Sequence, residues 1–149
     1  MSYPYFYISK KSGYAIRALF ELAQRGTAGP VNVRSLAKAQ DIPSRFLEII
    51  LNELKQGGFV LSVRGKSGGY LLSRGASEIT IGQIIQFLEH SHESDAPALS
   101  TPHPGEFVLS ALMTNINDAI SEVCDNTSLK DMMELEMKNR AAFTSNYII

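Results

Sequence analysis

Residues 57–72 read Gly-Gly-Phe-Val-Leu-Ser-Val-Arg-Gly-Lys-Ser-Gly-Gly-Tyr-Leu-Leu, and this stretch decides the fold. Two runs rich in β-forming residues, 59–63 and 70–72, flank a short loop of glycine, lysine and serine. The pattern predicts a β-hairpin with a flexible, basic tip. The tip residues, which follow Arg64 directly, are Gly65, Lys66, Ser67, Gly68 and Gly69.

A phosphate-binding P-loop is the competing interpretation of Gly65-Lys66-Ser67. That motif requires a glycine five residues before its last glycine, and a helix after the loop. The chain has Val60 at the first of these positions, and β-forming residues follow the loop. The P-loop interpretation is therefore rejected.

Three predicted helices precede the hairpin. The first covers residues 9–25, and the second ends near Gln40 after Asn32 as its cap. Asp41-Ile42-Pro43 makes a turn, and Ser44 is expected to cap a third helix that ends before Gly57-Gly58. Helix, turn, helix and hairpin occur in the order of a winged helix-turn-helix DNA-binding domain. The predicted fold class is mainly α with a small β-hairpin.

The third predicted helix has two distinct faces. One is an apolar stripe expected to be buried, and the other is polar and would be the surface that reads DNA. The stripe consists of Leu47, Ile50, Leu51 and Leu54, and the polar face of Arg45, Glu48, Asn52 and Gln56.

The second half of the chain predicts an assembly module. A fourth helix, 79–89 with Thr80 as its cap, is expected to pack against the first, and a polar loop follows at 91–105. The segment 106–123 has an apolar face wider than one side of a core requires, which suggests a dimerisation helix. A last helix is predicted from 129 to about 140, with Leu135 facing inward, before a tail at 144–149. The predicted division is therefore 1–90 for DNA binding, 91–105 as a loop, and 106–149 for dimerisation.

Charge is distributed unevenly along the 149 residues, although the net charge is only −1. Residues 1–80 hold 11 lysines and arginines against 5 acidic residues, whereas residues 81–149 hold 3 against 10. A basic first half can neutralise DNA phosphates while an acidic second half stays clear of them. With no apolar N-terminal signal and no apolar run approaching 18 residues, the chain is expected to be cytoplasmic, with no membrane contact.

Three motifs together resemble the Rrf2 family of bacterial winged-helix regulators, the group of the IscR and CymR types. They are Tyr-Ala-Ile-Arg-Ala-Leu at 14–19, Ile-Pro-Ser-Arg-Phe-Leu-Glu at 42–48, and the wing itself, Ser-Val-Arg-Gly at 62–65 with Gly-Gly-Tyr-Leu-Leu at 68–72. The resemblance covers about residues 8–90 and, more loosely, 106–133. It implies a homodimer that binds double-stranded DNA at a palindromic operator, most often as a repressor.

The resemblance also implies roles for individual residues. It places Ser44, Arg45 and Glu48 in the major groove, and Arg64 with the tip 65–69 in the minor groove. The chemistry agrees, because a glutamate can accept a hydrogen bond from cytosine N4, whereas arginine and lysine suit phosphates or a narrow minor groove.

The chain departs from the family in its cysteines. Many members hold an iron–sulfur cluster with three cysteines after the fourth helix and a histidine at the start of the long helix. This chain has only Cys124, with Phe107 and Ser110 near the positions of the last cysteine and the histidine. No cofactor is therefore expected, and a small molecule or a partner protein is the expected effector.

Two alternatives stay open from the sequence alone. A winged-helix module that only binds proteins need not keep the basic wing or Glu48. A small metalloprotein would use His90, His92 and His103, since imidazole suits Zn, Ni or Cu. Cys124 has no neighbouring cation in the sequence to activate it, which favours a structural thiol. No nucleophile, acid and base occur at a suggestive spacing, so an enzyme is not expected.

Overall fold

The structure is a computed structural model that describes residues 8–89 and 103–147. These residues form six α-helices, one two-stranded antiparallel sheet and a short 3-10 helix at Ala76–Glu78 that the sequence did not indicate. The predicted class, mainly α with a small hairpin, is confirmed. In chain order the elements are α1 Lys10–Arg25, α2 Val33–Gln40, α3 Ser44–Gln56, β1 Val60–Val63, β2 Gly69–Leu72, α4 Ile81–Glu89, α5 Pro104–Asp125 and α6 Leu129–Tyr147.

The first two helices begin at side-chain caps. The Ser9 hydroxyl accepts from the Ser12 N–H at 3.1 Å, and the Asn32 side chain accepts from the Ser35 N–H at 2.9 Å. Each bond satisfies a donor that the first turn of a helix leaves without a partner. Asp41 ends α2 in the left-handed conformation, at φ 50°.

The prediction that Ser44 caps α3 is wrong. Pro43 occupies the cap position in an extended conformation, and Ser44 is already the first helical residue. Proline fixes its own φ near the value that it has here, −59°, so it starts the helix without a side-chain cap. Ser44 is left exposed at the open end of the helix.

The core lies among α1, α2, α3 and α4 and closes under the hairpin. Phe59, just before β1, belongs to it, and so does Leu129, the first residue of α6. The start of α6 therefore packs on the winged domain. Fully buried side chains of this core are Leu19, Leu36, Leu47, Leu51, Leu54, Val60, Ile79, Ile84, Leu88 and Leu129.

The predicted contact between helix four and helix one is confirmed. The Glu89 carboxylate, at the end of α4, accepts from the hydroxyls of Ser9 and Ser12 at 2.5 and 2.6 Å. These bonds join the last turn of α4 to the first turn of α1.

The hairpin is anchored to a distant part of the chain. Val31 and Tyr70 exchange two backbone hydrogen bonds of 2.8 Å, so the segment before α2 pairs with β2. A β-carbon on Gly69 would lie 2.3 Å from the Val31 carbonyl oxygen, and Gly69 has φ 155°. Only glycine fits both constraints. The strands begin at Val60 and Gly69, each one residue from the predicted position.

The C-terminal helices correct three predictions. Helix α5 begins at Pro104, inside the predicted loop, where the His103 N–H donates to the Glu106 carboxylate at 2.9 Å. The rest of that loop lies outside the described residues. Helix α6 runs to Tyr147, through most of the predicted tail, because 129–147 contains no glycine or proline to stop it. Leu135 is 59% exposed rather than inward, since only the first turns of α6 pack on the core.

Candidate nucleic-acid interface

Helix α3 carries its apolar stripe inward and its polar face outward, as its sequence indicates. Leu47, Ile50, Leu51 and Leu54 are buried, and an ion pair of 2.7 Å between Lys11 Nζ and Glu53 Oε2 ties α3 to α1. The helix is thus fixed from behind, and the opposite face is free to contact a ligand. That outward face, all of it exposed, consists of Ser44, Arg45, Glu48, Ile49, Asn52 and Gln56.

The charged groups on the outward face are free. Within residues 8–89 and 103–147, the side chains of Arg45 and Glu48 make no hydrogen bond or ion pair. Arg25, which is exposed on the same domain, is paired instead, with Glu21 at 2.8 Å. An unpaired guanidinium and an unpaired carboxylate on one rigid helix can each bind a base edge or a phosphate without first breaking an internal bond.

The wing tip is a tight turn shaped by its glycines. The Gly68 N–H donates to the Gly65 carbonyl at 3.0 Å, and Gly65 has φ 117°. A β-carbon on Gly68 would lie 2.2 Å from the Val63 carbonyl oxygen. At these glycines the tip has no side chain, so the backbone can approach a phosphate chain closely.

The cations of the wing are also unpaired. Arg64 and Lys66 are exposed and make no hydrogen bond or ion pair in the described part of the chain. Ser67 is exposed beside them. In contrast, Arg74 at the base of the hairpin bonds Gln83 and lies 5.6 Å over the Phe59 ring, so it supports the fold.

The site residues indicated by the sequence form two groups on linked elements. Ser44, Arg45 and Glu48 lie in the first two turns of α3, and residues 64–69 form the tip of the hairpin. The hairpin begins at the opposite end of α3, where the Phe59 N–H donates to the Leu54 carbonyl at 2.9 Å. A helix of 13 residues is about 20 Å long, so the two groups are offset along the helix.

Two large apolar residues of α3 are exposed, and one of them, Ile49, was missed as a site candidate. Phe46 is 60% exposed and Ile49 is 59% exposed, although both are large and apolar. The signal was present in the sequence, because neither residue falls on the buried stripe. Ile49 lies one turn after Arg45 and one turn before Asn52, and therefore beside both of them on the outward face.

The described residues do not support a metal-binding site. Residues 8–89 and 103–147 contain no group of three histidine, cysteine or acidic side chains able to hold a metal ion. His103 is exposed at the start of α5, while His90 and His92 lie outside the described residues. Cys124 is half-buried against the core, and burial, with the neighbouring Asp125 charge, raises the pKa of its thiol.

Helix α5 has no buried residue along its 22 positions. Its apolar side chains form a stripe that α4 covers only in part, so Met113, Ile116 and Ile120 are half-buried. The other side of the stripe is open. Large side chains exposed on this helix are Phe107 at 78%, Val108 at 68%, Leu109 at 45%, Leu112 at 53% and Val123 at 66%.

A helix-turn-helix with a free polar face, followed by a glycine-shaped basic wing, defines a winged helix-turn-helix DNA-binding regulator. The chain belongs to the Rrf2 family: the family model, described as an iron-dependent transcriptional regulator, matches residues 8–135. None of the helices within the described ranges is long and apolar enough to cross a bilayer.

Individual relatives agree with this assignment. The transcriptional regulator CymR of Bacillus subtilis is 34% identical over 125 residues, which is 84% of this chain and 88% of that protein. An IscR regulator of Escherichia coli is 30% identical over 128 residues, 85% and 79% of the two chains. Among solved structures, B. subtilis CymR, described as a global cysteine regulator, superposes with a TM-score of 0.75 at 33% identity, covering 87% of this chain and 98% of that one. T. potens IscR gives 0.73 at 33% identity, with 87% of each chain covered.

Proposed function

We propose that this regulator binds a palindromic operator as a homodimer and represses transcription there. The observation that carries the proposal is the set of exposed, unpaired charges on the two elements that a winged helix uses to bind DNA: Arg45 and Glu48 on α3, with Arg64 and Lys66 on the wing. Charged side chains without internal partners, fixed on rigid elements, need not be released before they bind DNA. The basic balance of residues 1–80 adds a favourable field for phosphates.

In this proposal α3 enters the major groove. Ser44 and Arg45 contact phosphates or base edges at the open end of the helix, and Glu48 accepts from cytosine N4. The wing, with Arg64 and the tip 65–69, lies along the adjacent minor groove, where a narrow groove concentrates negative potential. Residues 1–90 then form the DNA-binding part and 106–149 the dimerisation part.

Dimerisation is proposed for the open stripe of α5. An apolar face of this extent on a helix with no buried residue is typical of an obligate interface. Two-fold symmetry would present two α3 helices to half-sites about one helical turn apart, which is why the operator is expected to be palindromic. Repression follows if the operator overlaps a promoter, because the bound dimer then blocks transcription.

Selection from random duplexes tests the proposal. The wild-type protein should enrich a palindrome whose half-sites lie about 10 base pairs apart, and its affinity should fall steeply as salt increases. Glu48→Ala should relax the preference at one position by about 1 to 3 kcal/mol. Glu48→Gln is the matched control: it keeps the size of the side chain, and we expect the preferred base at that position to change toward adenine.

Two results would contradict this assignment. If no sequence is enriched, and mobility shift detects no binding at low salt, the chain is not a sequence-specific DNA-binding protein. If both Glu48 variants keep the wild-type preference, Glu48 does not read a base.

The residues of this chain do not fit a cluster of the iron–sulfur type. Such a cluster requires about four soft or imidazole ligands, and each subunit has a single cysteine. Cys124 is also half-buried against the core. We therefore propose that the effector is a small molecule or a partner protein that changes the spacing of the two α3 helices.

We expect protein purified without oxygen from iron-supplemented cells to hold no stoichiometric iron and no acid-labile sulfide. The physical reason is the shortage of thiolate ligands, since even two subunits supply only two. Metal analysis and the visible absorption spectrum measure this directly. Stoichiometric iron and sulfide, lost on replacement of Cys124 by serine, would make cluster sensing the leading hypothesis.

A further inference from the structure

The outward face of α3 contains one apolar residue that the fold does not use. Ile49 is 59% exposed, while its neighbour Ile50 is 3% exposed and belongs to the core. Exposing a large aliphatic side chain to water loses the free energy that its burial would give. On a helix whose other outward residues are polar, this side chain is available for a ligand that buries it.

The neighbours of Ile49 indicate what that ligand is. Arg45 lies one turn before it, Asn52 one turn after it, and Glu48 directly precedes it. Arginine, asparagine and glutamate are the side chains that recognise guanine, adenine and cytosine in the major groove. The fourth base, thymine, presents a methyl group there, and an apolar side chain recognises it.

We propose that Ile49 reads the C5-methyl group of a thymine in each operator half-site. The inference rests on the proposed function, because it requires α3 to lie in the major groove. One base of each half-site would then be recognised by an apolar contact. This contact would lie on the same face as the polar contacts of Arg45 and Glu48.

The position of Ile49 favours DNA over a protein as the partner of this side chain. Ile49 is the one apolar residue of the outward face and has one exposed apolar neighbour on the helix, Phe46, whereas a protein-binding patch gathers several apolar residues. The other exposed apolar residue of the helix, Phe46, lies off the outward face, toward the side on which Glu53 pairs with Lys11. A single aliphatic side chain is enough to contact one thymine methyl group, whereas a protein surface would require a larger apolar patch.

Deoxyuridine substitution tests the contact, because deoxyuridine differs from thymidine only by the C5-methyl group. Each thymine of the selected operator is replaced in turn, symmetrically in both half-sites, and the dissociation constant is measured by fluorescence anisotropy. At one thymine position, the replacement should weaken wild-type binding by about fourfold for each methyl group removed. Ile49→Ala should bind the thymine operator less well and should no longer distinguish thymine from uracil at that position.

Phe46→Ala is the matched control, since it also removes an exposed apolar side chain from α3. It should keep the full sensitivity to uracil. The proposal is overturned if no thymine position is sensitive, if Ile49→Ala keeps the wild-type sensitivity, or if the sensitivity disappears in Phe46→Ala instead. These outcomes are read on a duplex that the wild-type protein binds specifically, so a failure of DNA binding itself would be seen separately, in the selection.

Discussion

Leu112→Asp is expected to convert the protein to monomers and to reduce operator affinity by at least about a hundredfold. Leu112 is 53% exposed on the open side of α5, so the subunit's own core does not depend on it. In a dimer the introduced carboxylate would be buried without a partner, which costs several kcal/mol. A monomer engages one half-site only, and the loss of the second, linked binding event lowers affinity by about 10²- to 10⁴-fold.

Sedimentation at micromolar concentration measures the assembly, and anisotropy on the selected operator measures the binding. Ser121→Asp is the matched control, because residue 121 is exposed on the opposite side of α5 and receives the same charge. It should remain dimeric. Ile116 and Ile120 are poorer probes, since both are partly covered within the subunit.

A wild-type monomer under these conditions would contradict the dimer, whatever the variants do. A dimeric Leu112→Asp protein with unchanged affinity would remove the α5 stripe from the interface. If Leu112→Asp does not fold, wild-type sedimentation over a range of concentrations still decides the question.

The sequence predicted the elements whose ends are determined locally. Asn32 caps α2 and Gly57 follows α3, and in both cases the side chain or backbone that ends the helix is a neighbour in the chain. The hairpin was likewise evident from its glycines. Local signals failed where two of them competed, since Pro43 took the cap position expected for Ser44.

The sequence could not predict features that depend on distant residues. The pairing of Val31 with Tyr70 joins positions 39 residues apart, and it is this contact that requires glycine at 69. The burial of Leu129 in the core of the winged domain, and the exposure of Leu135 two turns later, follow from where α6 docks. Helical periodicity alone does not contain that information.

The charged residues of the candidate site were predicted from the sequence, whereas its apolar residue was missed. Arg45, Glu48, Arg64 and Lys66 could be named from residue type and position, and the structure places them exposed and unpaired in the described part of the chain. Ile49 was missed because residue type alone makes an isoleucine a core residue by default. Its position off the buried stripe indicated otherwise, and its exposure next to buried Ile50 agrees with that position.

Arg64→Glu is expected to lower operator affinity by about a hundredfold at low salt. The guanidinium has no partner in the described part of the chain, so its loss would remove the proposed DNA contacts without breaking an internal bond. A charged hydrogen bond contributes about 1.5 to 3 kcal/mol, and the new carboxylate adds repulsion from the phosphates. Arg64→Ala, which only removes the contact, should cost about tenfold.

The salt dependence of these variants separates two modes of binding by the wing. If Arg64 contacts a phosphate, Arg64→Ala should reduce the slope of log affinity against log salt by about 1, equally on all duplexes. If it inserts into the minor groove, the loss should be larger on operators whose flanks carry a narrow A-tract than on G·C-rich flanks. Anisotropy titrations on paired duplexes, differing only in the flank beneath the wing, measure both effects.

Lys130→Glu controls for the change in net charge, because it alters the charge by the same amount on the exposed surface of α6. Its ion pair with Glu134, at 3.9 Å, lies on that surface and contributes little to stability. A global effect of charge would lower the affinity of both variants alike, whereas a wing contact would affect Arg64→Glu alone. Equal losses would therefore exclude a specific role for Arg64, and an unchanged affinity in Arg64→Glu would leave DNA recognition to α3 without the wing.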